Sequence, residues 1–414
     1  MRMFVIVLAA VVSLFPSLLP RDPVVQGVVT GVLIVFALAS RRIVVSVFHR
    51  RTGRFPSPTP DELRWPIVTV GASAMLVAVA GAHRWQNRLR QAMDVPGVDL
   101  RYWTEVVLVA AVVVTVLVGG TRAVVAALRT GTSPGRAGRL PVVAVVTVLA
   151  CLGAGTVSAS PTDPAPSSGV DLGREGRRFV SLPSDGSALR VYIPLAAAAD
   201  PEGRAERAVA ELDRVGGWDR EHLVVAVPTG SGWVDAAAVR GFESRWGDDL
   251  VIVAQQYSDR PSWATFVLDR DAAVEETRAL VAAVRTRLAA LPTERRPVLH
   301  LYGQSLGATG ASAVFANVDP EPCALFLAGP PAGVRTDGAT VRANSSDPVV
   351  WWQPALLWSP PDLSRARIDA PVPPWLPVLT FVQTSVDLLV SLDAPIGHGH
   401  RYGEDQARCA AEDR

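Results

Sequence analysis

Lysine is absent from this chain. All 40 basic residues are arginine, set against 39 acidic ones for a net charge of +1. We read the missing lysine as coding bias. The balance leaves no basic surplus of the kind a nucleic-acid partner needs. Cysteine is scarce: three in 414 residues is too few for a disulfide scaffold. Cys151 lies in an apolar run, while Cys323 and Cys409 fall in the polar half. Those two either pair, if that half is extracytoplasmic, or remain small hydrophobes. Histidine is sparse as well, at six, and no cofactor motif stands out.

Apolar length is abundant, by contrast. Mean hydropathy is positive, which is unusual for a soluble enzyme and asks for membrane segments. Five apolar runs supply them: Met3–Leu19, Val24–Ser40, Pro66–Ala82, Val106–Leu128 and Leu140–Ala159. Each approaches the length of a membrane-crossing helix, and Arg122 is the one internal charge. The first lacks a clear cleavage site and a second follows at once, so a retained hairpin is expected rather than a signal peptide. The connections after runs two (Arg41, Arg42, Arg50, Arg51, Arg54) and four (Arg129, Arg136, Arg139) are basic. The positive-inside rule then places the N-terminus in the cytoplasm and everything after run five outside. Arg84, Arg88, Arg90 and Arg101, after run three, depart from that rule.

The organisation expected is therefore a transmembrane helical domain over residues 1–160, a Pro/Ser/Gly-rich linker over 161–178 and a globular domain over 179–414. In the last, strands alternate with helices. Strands are expected at Phe179–Leu182, Ala188–Pro194, His222–Val227, Leu250–Gln255, from Val298, at Cys323–Ala328 and at Thr340–Ala343. Helices are expected at Arg204–Val215 and Asp271–Leu291. Such alternation implies a mostly parallel sheet.

The stretch PVLHLYGQSLGATG, residues 297–310, organises this half. A β-prone run enters Gly303-Gln304-Ser305-Leu306-Gly307, and a small-residue helix leaves it. Strand, G-x-S-x-G and helix make the nucleophile elbow of α/β-hydrolases, whose strained serine stands clear of both elements. The pentapeptide alone arises by chance in roughly one chain in seven of this size, so its context carries the reading. A serine needs a base, and the base needs an orienting acid. In this fold both follow the serine. Asp347, just past the Thr340 strand, is the first choice for the acid. Asp387, in an apolar helical run (Phe381–Leu392), is the second, and Asp362, Asp369 and Asp393 compete. The base is one of His398 and His400 in Gly397-His398-Gly399-His400, with His398 preferred for its flanking glycines. The same pair invites a metal reading, but no third ligand cluster accompanies it. The oxyanion needs two backbone amides. Leu306 supplies one, and Thr229 or Gly230, in the turn after the His222 strand, supplies the other.

The chain resembles a family in which several N-terminal membrane spans precede an α/β-hydrolase catalytic domain of unassigned substrate. The matching residues are PTGSGWVD (228–235), QQYSDRPSW (255–263), LYGQSLGATG (301–310), SSDPVVWWQPALLW (345–358) and GHGHRYG (397–403). The last two are far more specific than the serine pentapeptide. The resemblance implies a triad of Ser305, Asp347 and one of His398 or His400. Gln304 stands where relatives often carry glutamate, a position the triad does not need. The expectation is a multi-pass cell-membrane protein whose extracytoplasmic domain cleaves carboxylic esters, lipid or envelope esters among them. Its expected partners are the bilayer and an acyl-ester substrate, with no nucleic acid. Nothing in the sequence sets an oligomeric state. The rivals are an acyltransferase using the same triad, and a scaffold or transport-associated protein whose hydrolase-like domain only binds.

Overall fold

The computed structural model describes residues 2–53, 61–130, 171–184, 186–260, 262, 265, 269–315 and 323–409. The chain divides into two compact units. One comprises Met1–Ala159, Leu357–Ser359 and Ala370–Asp393. The other comprises Ser160–Leu356, Pro360–Asp369 and Ala394–Arg414.

The first unit is helical: α1 Arg2–Ser13, α2 Pro23–Thr52, α3 Asp61–Ala92 and α4 Leu100–Thr130. Three of its helices, over Pro23–Thr52, Trp65–Ala92 and Leu100–Ala123, are long and apolar enough to cross a membrane. The first apolar run yields only the 12-residue α1. At 1.5 Å per residue that is about 18 Å, short of a bilayer core. Pro16 and Pro20, just beyond, oppose any extension. The fifth run lies outside the described residues. Helix α2 starts where Asp22 caps the amides of Val24 and Val25, with Pro23 at the first turn, and ends at left-handed Gly53. It packs on α4 through Gly27 and Gly31. A Cβ on either would meet the Val109 or Val113 Cβ at 2.7 and 2.8 Å. Small residues four apart let helix backbones approach closely.

A late helix, Leu379–Leu389, belongs to this same unit. Its Asp387 is fully buried. It accepts from Arg21 Nε at 2.9 Å and from the Leu18 amide at 2.7 Å. The second-choice acid of the sequence is thus a buried ion-pair partner inside the helical unit.

The second unit carries a six-stranded, wholly parallel sheet. Its strands are β1 Leu189–Ile193, β2 His222–Val227, β3 Leu250–Gln255, β4 Val298–Gln304, β5 Leu325–Ala328 and β6 Thr340–Arg342. The order is β1-β3-β2-β4-β5-β6. Strands β2 and β3 are continuous apolar runs buried on both faces, as parallel sheets require. One face packs on the helices Pro201–Val215, Asp271–Ala289 and Leu306–Phe315, through Leu212, Val284 and Ala308 among others. The other is covered by the helix Ala236–Trp246, with Phe242 edge-on to Tyr302 and Phe326. Bidentate Arg204–Glu276, both bonds 2.6 Å, ties the first two helices of the former layer together.

Phe179–Leu182, expected as a strand, instead falls at the end of a helix, Gly173–Val180. Four β-prone residues fix no period. Phe179 buries its ring beside Tyr192 from the helical conformation just as well. Cys323 and Cys409 form a disulfide, Cα–Cα 5.5 Å, closing 86 residues of sequence. A ring of that size constrains the unfolded chain by about 4–5 kcal/mol.

Candidate active site

Ser305 stands between the end of β4 and the helix Leu306–Phe315, with φ of +54°. A non-glycine residue there is strained, as an elbow nucleophile is. The flanking glycines are demanded by packing. A Cβ on Gly303 would strike the Gly307 carbonyl, and one on Gly307 the Val227 carbonyl. The Ser305 amide donates to the Ala328 carbonyl at 3.0 Å, which pins the turn to the end of β5.

Asp347 lies just past β6 and is fully buried. One carboxylate oxygen caps the short helix Pro348–Trp351 through the Val349 amide at 2.8 Å. The other accepts from His400 Nδ1 at 2.7 Å and from the Tyr402 hydroxyl at 2.6 Å. Burial and the adjacent Asp347 charge hold the Tyr402 phenol far above its ordinary range, so it stays a donor. His400 is buried, and its Nε2 has no hydrogen-bond partner. A buried ring nitrogen without a partner is an open valence for a substrate-side proton.

Two neighbours of Ser305 connect it to this pair. Gln304 donates from Nε2 to the His400 carbonyl at 3.1 Å. Gly329, next in chain to Ala328, has φ of +49°. A Cβ there would meet Asp347 Oδ2 at 2.6 Å and His400 Nδ1 at 2.8 Å. The elbow, the acid and the imidazole therefore share one edge of the sheet, at the carboxyl ends of β4, β5 and β6.

His398 takes a different acid. Its Nδ1 lies 2.9 Å from Asp369 Oδ2. Asp369 also accepts from the Ser345 hydroxyl and the Ser346 amide, each at 3.0 Å, and from the Ser346 hydroxyl. Ser346 in turn accepts the Gly399 amide at 2.8 Å. The glycines that favoured His398 have a conformational use: Gly397 and Gly399 sit at φ of +89° and +54°. They shape the turn that sends the two imidazoles to separate carboxylates.

Of the oxyanion candidates, Leu306 opens its helix, where amides lack intrahelical acceptors. The Thr229 amide is committed to the Trp233 carbonyl at 2.9 Å, which leaves Gly230 of that turn. Asp235, close after it, was not singled out from the sequence. It caps the helix Ala236–Trp246 and accepts from Gln406, and burial raises its carboxyl above the usual range. The G-S-G-x-x-D cap signal was available there.

The alpha/beta-hydrolase family matches residues 189–343 and 337–412, and that family's N-terminal region matches residues 14–163. No curated protein and no solved structure matches the chain. With more than half its length covered, and the sheet and elbow in place, the chain belongs to the alpha/beta-hydrolase family.

Proposed function

We propose that this protein is a membrane-anchored serine hydrolase of carboxylic esters. Ser305 is its nucleophile, His400 its general base and Asp347 the orienting acid. The observation that carries the reading is the Asp347–His400 pair, with Nε2 left open, on the sheet edge that also holds Ser305.

The steps follow from the residues. His400 Nε2 takes the Ser305 proton as Oγ attacks the ester carbonyl. The carbonyl oxygen becomes an oxyanion, held by the amides of Leu306 and Gly230. Asp347 stabilises the imidazolium and fixes the tautomer that leaves Nε2 free to accept. Collapse expels the alcohol, which carries away the proton from Nε2. Water repeats the sequence on the acyl-serine and releases the carboxylic acid. Three helices long enough to cross a membrane favour lipid or envelope esters as the substrate class. The disulfide favours an extracytoplasmic catalytic unit.

The test is labelling of the full chain with a serine-reactive fluorophosphonate. Wild type takes up one equivalent, and Ser305→Ala takes up none. Equal labelling of the two proteins overturns the assignment, as does failure of the wild type to label. Products formed with water against an alcohol acceptor then separate hydrolysis from acyl transfer.

A further inference from the structure

A groove of about 820 Å³ runs between the end of α1 and the length of α3. That volume lies within the range of ligand sites, about 300–1,000 Å³. Its floor is apolar and lined by small residues such as Ala74, Ala78 and Gly81. Its far end carries Arg84 and Arg88, one helical turn apart and both exposed, with Trp85 between them. Trp85 donates its indole N–H to the Ser17 carbonyl at 2.9 Å, as an interfacial tryptophan presents one apolar and one polar side.

The arginines of this region are those that depart from the positive-inside rule. Two of the four have internal duties. Arg90 donates to the carbonyls of Pro96 and Arg21, at 2.9 and 2.8 Å. Arg101 pairs with Glu105 at 2.8 Å. Arg84 and Arg88 have no carboxylate partner among the described residues. From Val70 to Gly81 the groove is about 16 Å long at 1.5 Å per residue. That is half of a hydrocarbon core of about 30 Å, the depth of one leaflet.

We propose that this groove binds one anionic phospholipid, its acyl chain along α3 and its phosphate between Arg84 and Arg88. Guanidinium forks match phosphate geometry, and two of them without a counter-charge complete an anionic headgroup site. The proposal rests on α2–α4 spanning a bilayer and is independent of the ester chemistry.

The experiment is native mass spectrometry of the delipidated full chain in detergent. Phosphatidylglycerol, phosphatidylcholine of the same chains and inorganic phosphate are added separately. Wild type favours phosphatidylglycerol by roughly 30-fold, the contribution of two surface arginines, and does not retain phosphate alone. Arg84→Gln with Arg88→Gln abolishes that preference. Gly81→Leu, at a groove-lining position where a Cβ meets no neighbouring atom within 4 Å, weakens both lipids. The thermal melting temperature in detergent stays at wild-type level in these variants and reports their folding. The proposal is overturned by equal affinity for the two lipids, by retention of phosphate alone, or by preference surviving in the arginine variants. It is also overturned by no lipid binding in wild type, as when another apolar stretch of the chain fills the groove. Extraction of native membranes with alkaline carbonate tests the underlying reading separately. Release of the wild type into the supernatant defeats the membrane assignment, and the groove assignment with it.

Discussion

Two loops of this chain bring together two histidine–aspartate pairs, and the pairs differ in what surrounds them. His400 is 6% exposed and Asp347 is fully buried. His398 is 20% exposed, on an equally buried Asp369 at 1%. The second acceptor on Asp347 Oδ2 is filled by a phenol, which cannot leave. Asp369 is instead saturated by two serines, of which Ser346 also holds the Gly399 amide. One pair ends on an open ring nitrogen at the glycine face beneath the elbow. The other ends on the turn that carries the first. On the proposed reading, the same two residue types serve as a proton carrier in one place and a loop fastener in the other. The difference lies in what else each carboxylate holds.

Substitution of each histidine tests that difference most directly. His400→Ala removes the proposed base and is expected to lower kcat by roughly 10⁶-fold, the scale of losing a triad imidazole. His398→Ala loosens the turn and is expected to cost between about 10- and 100-fold, because a misplacement of about 1 Å in a reacting group reaches that size. His398→Asn keeps a donor toward Asp369 and restores most of the loss. Rescue distinguishes the roles: asparagine recovers activity at position 398, whereas His400→Asn recovers none. Equal losses from the two alanine variants would erase the comparison.

The glycines beside each pair sharpen it further. Gly329→Ala drives a Cβ against Asp347 and His400 at a left-handed position. A cost of about 1–3 kcal/mol in stability is expected from the backbone, with activity reduced about 100-fold. Gly397→Ala pays a similar backbone penalty, but its Cβ meets only Arg367 Nη2 at 3.6 Å. Its activity is expected to stay within tenfold of wild type. Thermal melts and ester turnover on the two variants check the separation. Activity falling equally in both would mean that the two pairs act as one unit.

These details mark where sequence reasoning reached and where it stopped. The elbow at Ser305 was legible because it is a local steric device. The strand, two glycines and helix that enforce it lie within a dozen residues, and the parallel sheet followed from the alternation around it. The partner of each imidazole was not legible. His398 and His400 are two residues apart, while Asp347 and Asp369 are chosen by how the loops after β6 fold back. Gln304, set aside as unnecessary, proves to hold the His400 carbonyl. Disulfide pairing stayed open because sequence separation carries no Cα distance. The membership of Leu379–Leu389 in the helical unit rests on Arg21 meeting Asp387 across most of the chain, which no local pattern reports. The small-residue pair Gly27 and Gly31 was readable as a close-packing signal on α2 and went unused.

A third arrangement, at the opposite ends of the same strands, shows what histidine does with no carboxylate. His222 Nδ1 and His300 Nε2 lie 3.1 Å apart. The Trp246 ring stacks on both, at 4.4 Å to each centroid. His300 Nδ1 reaches the Cys323 carbonyl at 3.0 Å, beside the disulfide. Burial, reinforced by His222 and by the Arg245 guanidinium, lowers the His300 pKa to about 4. His222 is lowered too, by burial first. A depressed folded pKa means the native state refuses a proton that the unfolded chain accepts. The His300 contribution is therefore complete above about pH 6.5 and is lost as pH falls toward 4, an effect of about 3 kcal/mol. His300→Phe keeps the stack on Trp246 and removes the titration. It is expected to be less stable than wild type at pH 7, where its lost hydrogen bonds count. It is also expected to lose less of its Tm between pH 7 and pH 4.5. If wild type and variant lose the same number of degrees over that interval, the acid sensitivity belongs to other groups.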